Sequence, residues 1–160
     1  MNQEITAKLK GQKLIDHEMI KAAFVFWFSD GDHLRSPFPL YIRERLQFEA
    51  INKFLDWGSR ISDKAKKEIN DEILVEKFEE IIFELASDMV ETEDEKLTIR
   101  YPFMPRIGDA IHNKENMAEQ SESKITQRSY YKKDDTAFMK VKLINTVSQE
   151  EWETQFELPE

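Results

Sequence analysis

The chain has 160 residues, of which 40% are hydrophobic and 34% are charged, enough apolar material for one domain core but too little length for two large domains. Its 23 basic and 32 acidic residues give a net charge of −9, which disfavours general binding to polyanions. The absence of cysteine excludes disulfides, thiolate metal sites and a cysteine nucleophile.

Neither the N-terminal segment nor the apolar runs indicate secretion or membrane insertion. Met1–Gly11 lacks the basic start and the apolar stretch of a secretory signal. The longest apolar run, Ala22–Phe28, has seven residues, whereas a membrane-spanning helix needs about 20. We therefore expect a cytoplasmic protein with no membrane partner.

Three helices are predicted in the first part of the chain. Apolar residues recur every four positions through Lys13–Ser29, which predicts a helix, and its last two turns are apolar on nearly every side. Other helices must then pack around it, so we expect it at the centre of a helical bundle. A second helix is predicted over Leu40–Trp57. A third begins after Ser62, whose side chain can cap it, and is predicted to run without interruption to Val90.

The apolar period changes to two after the acidic stretch at 91–95, which predicts half-buried strands. The candidate strands are 97–103, 106–112, 124–131, 137–143 and 152–158. Lys132–Asp135 is a short polar connection that predicts a hairpin between two of them. Together these patterns predict an α+β fold, with about three N-terminal helices followed by a four- to five-stranded antiparallel sheet or small β-barrel.

The domain organisation follows from the same change of period. We expect a helical part, 1–94, and a β part, 95–160, joined in one compact domain. The polar segment Asn113–Ser123 is longer than the roughly two to five residues that a hairpin connection needs. Such a loop either has a function or is only a mobile connection, and both interpretations stay open.

The motifs that would indicate catalysis, a metal or a cofactor are incomplete. The four glycines are too far apart for either common phosphate-binding loop. His17-Glu18 lacks the second histidine of a zinc-protease motif, because position 21 is lysine. Asp30–His33 lacks the loop pattern of an EF-hand, and the glutamates at 76, 79, 80 and 84 are predicted to form a solvated helix face. We therefore predict no catalytic residues, no metal and no cofactor.

Basic residues concentrate in the β part of this acidic chain. Arg128, Tyr130 and Lys132 are predicted to share one strand face, with Lys133 next to them. Cations beside aromatic rings suit single-stranded nucleic acid, because bases stack while the cations contact phosphates. The competing interpretation is a charged outer sheet face that resists association between sheet edges.

The most structured short segment is Pro105–Ile111, where Pro105 fixes the backbone and Gly108-Asp109 predicts a bend. It resembles the Pro-x-x-Gly-Asp-x-Ile or -Val stretches of small β-barrels, among them phage assembly proteins, but this seven-residue likeness assigns no family. A carboxylate at 109 within hydrogen-bond reach of the imidazole at 112 would indicate chemistry. The candidate interaction residues are Arg106, Asp109, His112, Arg128, Tyr130, Lys132 and Lys133.

These observations favour a non-enzymatic protein whose partner is another protein or a second copy of itself. It could be an inhibitor, an immunity protein or an assembly component, for example of a phage or mobile element. The alternative is a nucleic-acid-binding module or a small enzyme that uses the surface of the sheet.

Overall fold

The computed structural model describes residues 17–30, 35–112 and 122–159 and confirms the α+β fold. The chain divides into two compact units, Met1–Pro102 and Phe103–Glu160. Within the described ranges the first unit contains the helices α1 (His17–Phe28), α2 (Leu40–Ser59), α3 (Asp63–Lys66), α4 (Asp71–Met89) and α5 (Glu93–Arg100). The second contains the strands β1 (Ala110–His112), β2 (Glu122–Lys133), β3 (Thr136–Asn145) and β4 (Glu151–Glu157).

The core of the helical unit lies between α2 and α4 and contains stacked and edge-on aromatic rings. Phe78 of α4 is completely buried, with its ring centroid 4.9 Å from that of Phe54 and 5.3 Å from that of Phe24. Such ring pairs stabilise a core beyond the area that they bury. This cluster joins α1, α2 and α4 into one hydrophobic core.

The prediction that α1 is wrapped on nearly every side is wrong. Phe24 and Trp27 are buried, but Val25 and Phe26 on the opposite side are 69% and 55% exposed. Trp27 packs against the rings of Phe38 and Phe83. Because residues three or four apart share a helix face, these contacts use one side of α1 only. The longer helices α2 and α4 form the centre instead.

The predicted uninterrupted helix from Ser62 to Val90 is in fact two helices. Ser62 does cap the first of them, since its Oγ accepts a hydrogen bond of 3.2 Å from the backbone N–H of Ala65. Asn70 starts the second, because its Oδ1 accepts a hydrogen bond of 2.9 Å from the N–H of Ile73. An asparagine cap competes with the continuing helix for local backbone donors, which explains the break.

The predicted strand over 97–103 is wrong, because residues 97–100 belong to α5 and residues 101–103 form a bend and turn after it. Thr92 and Glu95 form a capping box in which the Thr92 Oγ1 accepts from the Glu95 N–H and the Glu95 carboxylate accepts from the Thr92 N–H, at 3.1 and 3.0 Å. Three acidic residues in the first helical turn also interact favourably with the helix dipole. These local interactions stabilise a helix in spite of the alternating apolar pattern, and the helix ends at Arg100.

The four strands form one antiparallel sheet in the order β1-β2-β3-β4, curled into a half-barrel. Its inner face is apolar, and Ile125, Met139, Val141 and Leu143 are buried there. The predicted hairpin is confirmed, since Lys133 pairs with Thr136 across a two-residue turn. Both turn residues, Asp134 and Asp135, have positive φ (49° and 66°), as type I′ turns require.

A β-bulge at position 126 sets which side chains of β2 face inward. The pairing with β3 shifts between Ile125 and Gln127. Ile125 and Arg128 are both buried although they lie three residues apart, which an unbroken alternation forbids. The bulge therefore turns Arg128 to the inner face.

Two further expectations concern the long polar loop and membrane insertion. Glu122 and Ser123 of the predicted long loop belong to β2, whereas its residues 113–121 lie outside the described residues. Within the described ranges, no helix combines the length and apolar character that crossing a membrane requires.

Candidate functional site

Residues Arg106–Asp109 form a tight turn at the start of the β unit. The N–H of Asp109 donates to the carbonyl of Arg106 at 3.0 Å, and the N–H of Arg106 donates back to the Asp109 carboxylate at 2.8 Å. Gly108 occupies the third position with φ +90°, which is the conformation that a type II turn requires there. The sequence Arg-Ile-Gly-Asp thus closes the turn with its own backbone and one carboxylate.

Three more hydrogen bonds fix this turn to β2. The N–H of Gly108 donates to the carbonyl of Ile125 at 2.8 Å, and the N–H of Ile125 donates to the carbonyl of Asp109 at 3.0 Å. The guanidinium Nη1 of Arg128 donates to the carbonyl of Pro105 at 2.9 Å, and Arg128 is only 7% exposed. The turn is therefore rigid and held at a fixed position on the strand.

Apolar side chains are nevertheless exposed on this rigid turn and beside it. Ile107, at the second position of the turn, is 47% exposed, and Phe103, just before the turn, is 76% exposed. Tyr130 lies on the same face of β2 as Arg128 and is 37% exposed. We call Phe103, Ile107 and Tyr130 the turn surface.

The structure brings together some of the predicted site residues and separates others. Arg106, Asp109 and Arg128 are joined through the turn, with Tyr130 and Lys132 further along the same face of β2. His112 pairs with Glu122 and points, like Lys133, to the other face of the sheet. Within the described ranges the exposed His112 side chain makes no hydrogen bond, so it forms no acid–base pair with the carboxylate of Asp109.

The basic residues of the β unit, among them Arg128, Lys140 and Lys142, are also divided between the two faces of the sheet. Arg128 bonds to Pro105, as described above, and the Nζ atoms of Lys140 and Lys142 lie 3.0 and 3.8 Å from the Glu153 carboxylate on the outer face. The hydrogen bond from Lys140 lowers the pKa of Glu153 below its ordinary value. The competing interpretation, a charged outer face, thus fits Lys133, Lys140 and Lys142 but not the buried Arg128.

The acidic candidates for a metal site are placed as follows. Asp30 accepts a hydrogen bond of 2.8 Å from the N–H of Ser36, which agrees with the interpretation as a turn, while 31–34 lie outside the described residues. Glu76, Glu80 and Glu84 of α4 are exposed. In the part of the chain that the structure describes, no cluster of three or more histidine, aspartate or glutamate side chains could hold a metal ion.

Phe103 and Ile107, the two most exposed members of the turn surface, are not among the candidates predicted from sequence. The sequence does carry a signal for Ile107. A residue that precedes Gly-Asp in a Pro-x-x-Gly-Asp segment occupies the second position of a type II turn, where the side chain points away from the turn.

The chain was compared with known proteins in three ways. It matches no family model, no curated protein and no solved structure.

Proposed function

We propose that this protein is a non-enzymatic binding component that contacts another protein through the turn surface, Phe103, Ile107 and Tyr130. One observation carries the proposal: two aliphatic or aromatic side chains, Ile107 and Phe103, are held in water on or next to a turn fixed by five hydrogen bonds. The protein gains nothing in its own stability from this exposure.

The energetics suit a binding surface. Complete burial of an isoleucine or phenylalanine side chain is worth about 1.5–3 kcal/mol. Because the backbone of 105–109 is already fixed, binding costs little additional conformational entropy there. Aromatic side chains that fill a pocket of the partner are the usual centres of binding energy in protein interfaces.

The charges favour a protein partner over a nucleic acid. Arg128 already donates to Pro105, and Lys140 and Lys142 already pair with Glu153, so phosphate binding by these three residues would compete with their present interactions. The net charge of −9 adds long-range repulsion. An inhibitor, an immunity protein and an assembly component, such as one of a phage or mobile element, all meet this description.

Site-specific photocrosslinking tests the proposal. A benzophenone amino acid is placed at Ile107 and, as a matched control, at Val147, which is 79% exposed in the turn between β3 and β4. In a native lysate we expect a discrete adduct from position 107 that is absent from position 147. The substitution Ile107→Asp should weaken capture of that partner about tenfold or more, while Val147→Asp should not.

Two outcomes contradict the proposal. One is the absence of an adduct at 107, and the other is the same set of adducts from both positions. Charge reversal at Lys132 and Lys133 examines the alternative, since a loss of binding to single-stranded nucleic acid, with a reduced salt dependence, would support a nucleic-acid-binding module.

A further inference from the structure

The last strand of the sheet, β4, lies at one end of the strand order β1-β2-β3-β4. Among the described residues it pairs only with β3, so its other edge has no strand partner there. At one end of the β3–β4 pair the N–H of Asn145 donates to the backbone carbonyl of Glu150. At the other end the N–H of Leu158 donates to the backbone carbonyl of Ala137. Because hydrogen-bonded pairs alternate in an antiparallel ladder, the even-numbered residues of β4 bond to β3. The backbone groups of Glu151, Glu153, Gln155 and Glu157 therefore point to the free edge.

The side chains along this edge differ between the two faces of the sheet. On the inner face, Trp152, Thr154 and Phe156 are half-buried, so the apolar core ends at this strand with part of its surface uncovered. The odd-numbered residues point to the outer face, where three of the four are glutamates. The edge is thus apolar on one side and acidic on the other.

The acidic charges are not all neutralised within the sheet. Glu153 pairs with Lys140 and Lys142, as described above. Glu151 lies opposite Ile144 and Glu157 lies opposite Phe138, and within the described ranges neither carboxylate makes an ion pair. Two unneutralised charges consequently stand at the two ends of the strand.

We propose that the free edge of β4 binds an extended segment of a partner protein that adds to the sheet as a fifth strand. The segment alternates basic and apolar residues. Its basic side chains lie on the outer face, beside Glu151 and Glu157, and its apolar side chains extend the inner face beyond Trp152 and Phe156. Backbone hydrogen bonds give affinity in this mode, and alternate side chains give specificity.

The same charges disfavour a second copy of this chain as the occupant. Antiparallel pairing of two β4 strands about Thr154 would place Glu151 of one copy against Glu157 of the other. Like charges directly opposite each other destabilise a strand pair. The acidic edge thus opposes self-association and favours a basic strand.

This site is separate from the turn surface, which is attached to β2 and precedes β1, the strand at the other end of the sheet order. It therefore stands independently of the proposed function, and failure of one leaves the other untouched. Photocrosslinking at 107 examines the turn surface, whereas the peptide experiment below examines β4.

A fluorescein-labelled peptide Lys-Val-Lys-Val-Lys-Val-Lys tests the proposal by fluorescence anisotropy with the full chain. We expect saturable binding that is lost when the central valine is replaced by proline or the valines by glycine. In hydrogen exchange, the amides of Glu153, Gln155 and Glu157 should exchange quickly in the free protein and become protected by the peptide. Binding without this alternate protection would be mere charge attraction and would overturn the proposal.

A pair of variants at one position isolates the backbone contribution. Gln155→Pro removes an N–H that points to the free edge but no hydrogen bond to β3. Gln155→Ala is the matched control, because both changes remove the contact between the Tyr131 hydroxyl and Gln155 Oε1. We expect Gln155→Pro to weaken peptide binding about tenfold or more and Gln155→Ala to change it less than about twofold. Equal binding by the two folded variants would overturn the proposal.

A charge reversal keeps the test decisive if the proline variant does not fold. The double change Glu151→Lys with Glu157→Lys should transfer the preference from the Lys-Val peptide to a Glu-Val peptide of the same length. An unchanged preference contradicts the proposed recognition. So does sedimentation of the free full chain as a dimer that protects the β4 amides, because a second copy would then occupy the edge.

Discussion

Removing the Asp109 carboxylate should release the turn at 106–109 without unfolding the sheet. In the substitution Asp109→Ala, the N–H of Arg106 loses its 2.8 Å hydrogen bond to the carboxylate. Loss of a hydrogen bond to a charged group costs about 1.5–3 kcal/mol. Since about 1.4 kcal/mol corresponds to a factor of ten, the turn should open roughly ten- to a hundredfold more often.

Amide hydrogen exchange measures this opening at named positions. The N–H groups of Gly108 and Ile125 join the turn to β2, so their exchange should accelerate by the factor given above. The N–H of Leu158, which donates to Ala137 at the far edge of the sheet, serves as the internal control and should not change. Asp109→Asn retains an oxygen acceptor, and we expect it to accelerate exchange less than about fivefold.

Two results would refute this reasoning. If Asp109→Ala leaves exchange at Gly108 and Ile125 unchanged, the carboxylate does not hold the turn. If the amide of Leu158 accelerates by the same factor, the substitution destabilises the whole unit and the turn is not a separate element. In either case the claim of a preorganised turn surface loses its basis.

Four further predictions concern stability and charge. Gly108→Ala should lower the free energy of unfolding by about 1–2 kcal/mol in urea denaturation, because φ is +90° there. No atom lies within 4 Å of the added Cβ, so the loss comes from backbone strain, and an unchanged free energy would contradict the positive φ. Phe78→Ala should cost about 3–5 kcal/mol in the same assay and Phe78→Leu less than about 1.5, and similar losses would contradict the ring packing. Asp135→Gly should raise the melting temperature, because φ is 66° there, whereas a decrease would argue against the type I′ turn. In Lys140→Met the pKa of Glu153 should rise towards its ordinary value in an NMR titration, and an unchanged pKa would exclude the Lys140 hydrogen bond as the cause. A carboxyl whose pKa is lowered in the folded protein stabilises the fold at a pH above its unfolded pKa. That stabilisation is lost as the pH falls through the folded pKa.

Local patterns predicted the fold class and several elements. The alternation through 137–143 and 152–158 placed β3 and β4 correctly, with the lysines and glutamates on the outer face. Polar residues at 132–135 located the hairpin. These predictions succeed because side-chain direction in a regular strand depends only on position parity.

The errors came from short-range hydrogen bonds that hydrophobic periodicity does not register. The capping box of Thr92 and Glu95 makes a helix of residues that alternate like a strand. Asn70 interrupts a helix whose apolar stripe continues across the break. Asn70, Thr92 and Glu95 are recognisable cap residues in the sequence, but a prediction from hydrophobic periodicity alone does not take them into account.

The sequence places Arg106, Asp109 and Arg128 in one set of candidate interaction residues. The structure bonds Arg106 to Asp109 within the turn and bonds Arg128 of β2 to the carbonyl of Pro105 beside it. His112 and Lys133 were grouped with them but lie on the opposite face of the sheet. Closeness along the chain does not specify a common face when strands pair and bulge.

The sequence by itself determined which residues prefer helix or strand, where the hairpin turns, and that the β part carries a polar and an apolar side. Only the tertiary structure decided which side of β2 faces the core, because a single extra residue at the Thr126 bulge reverses the direction of every side chain after it. It also decided that α1 buries one face and that Ile107 remains exposed, since burial depends on which elements happen to pack together. Periodicity describes a segment alone, whereas a surface is made by several segments meeting in space.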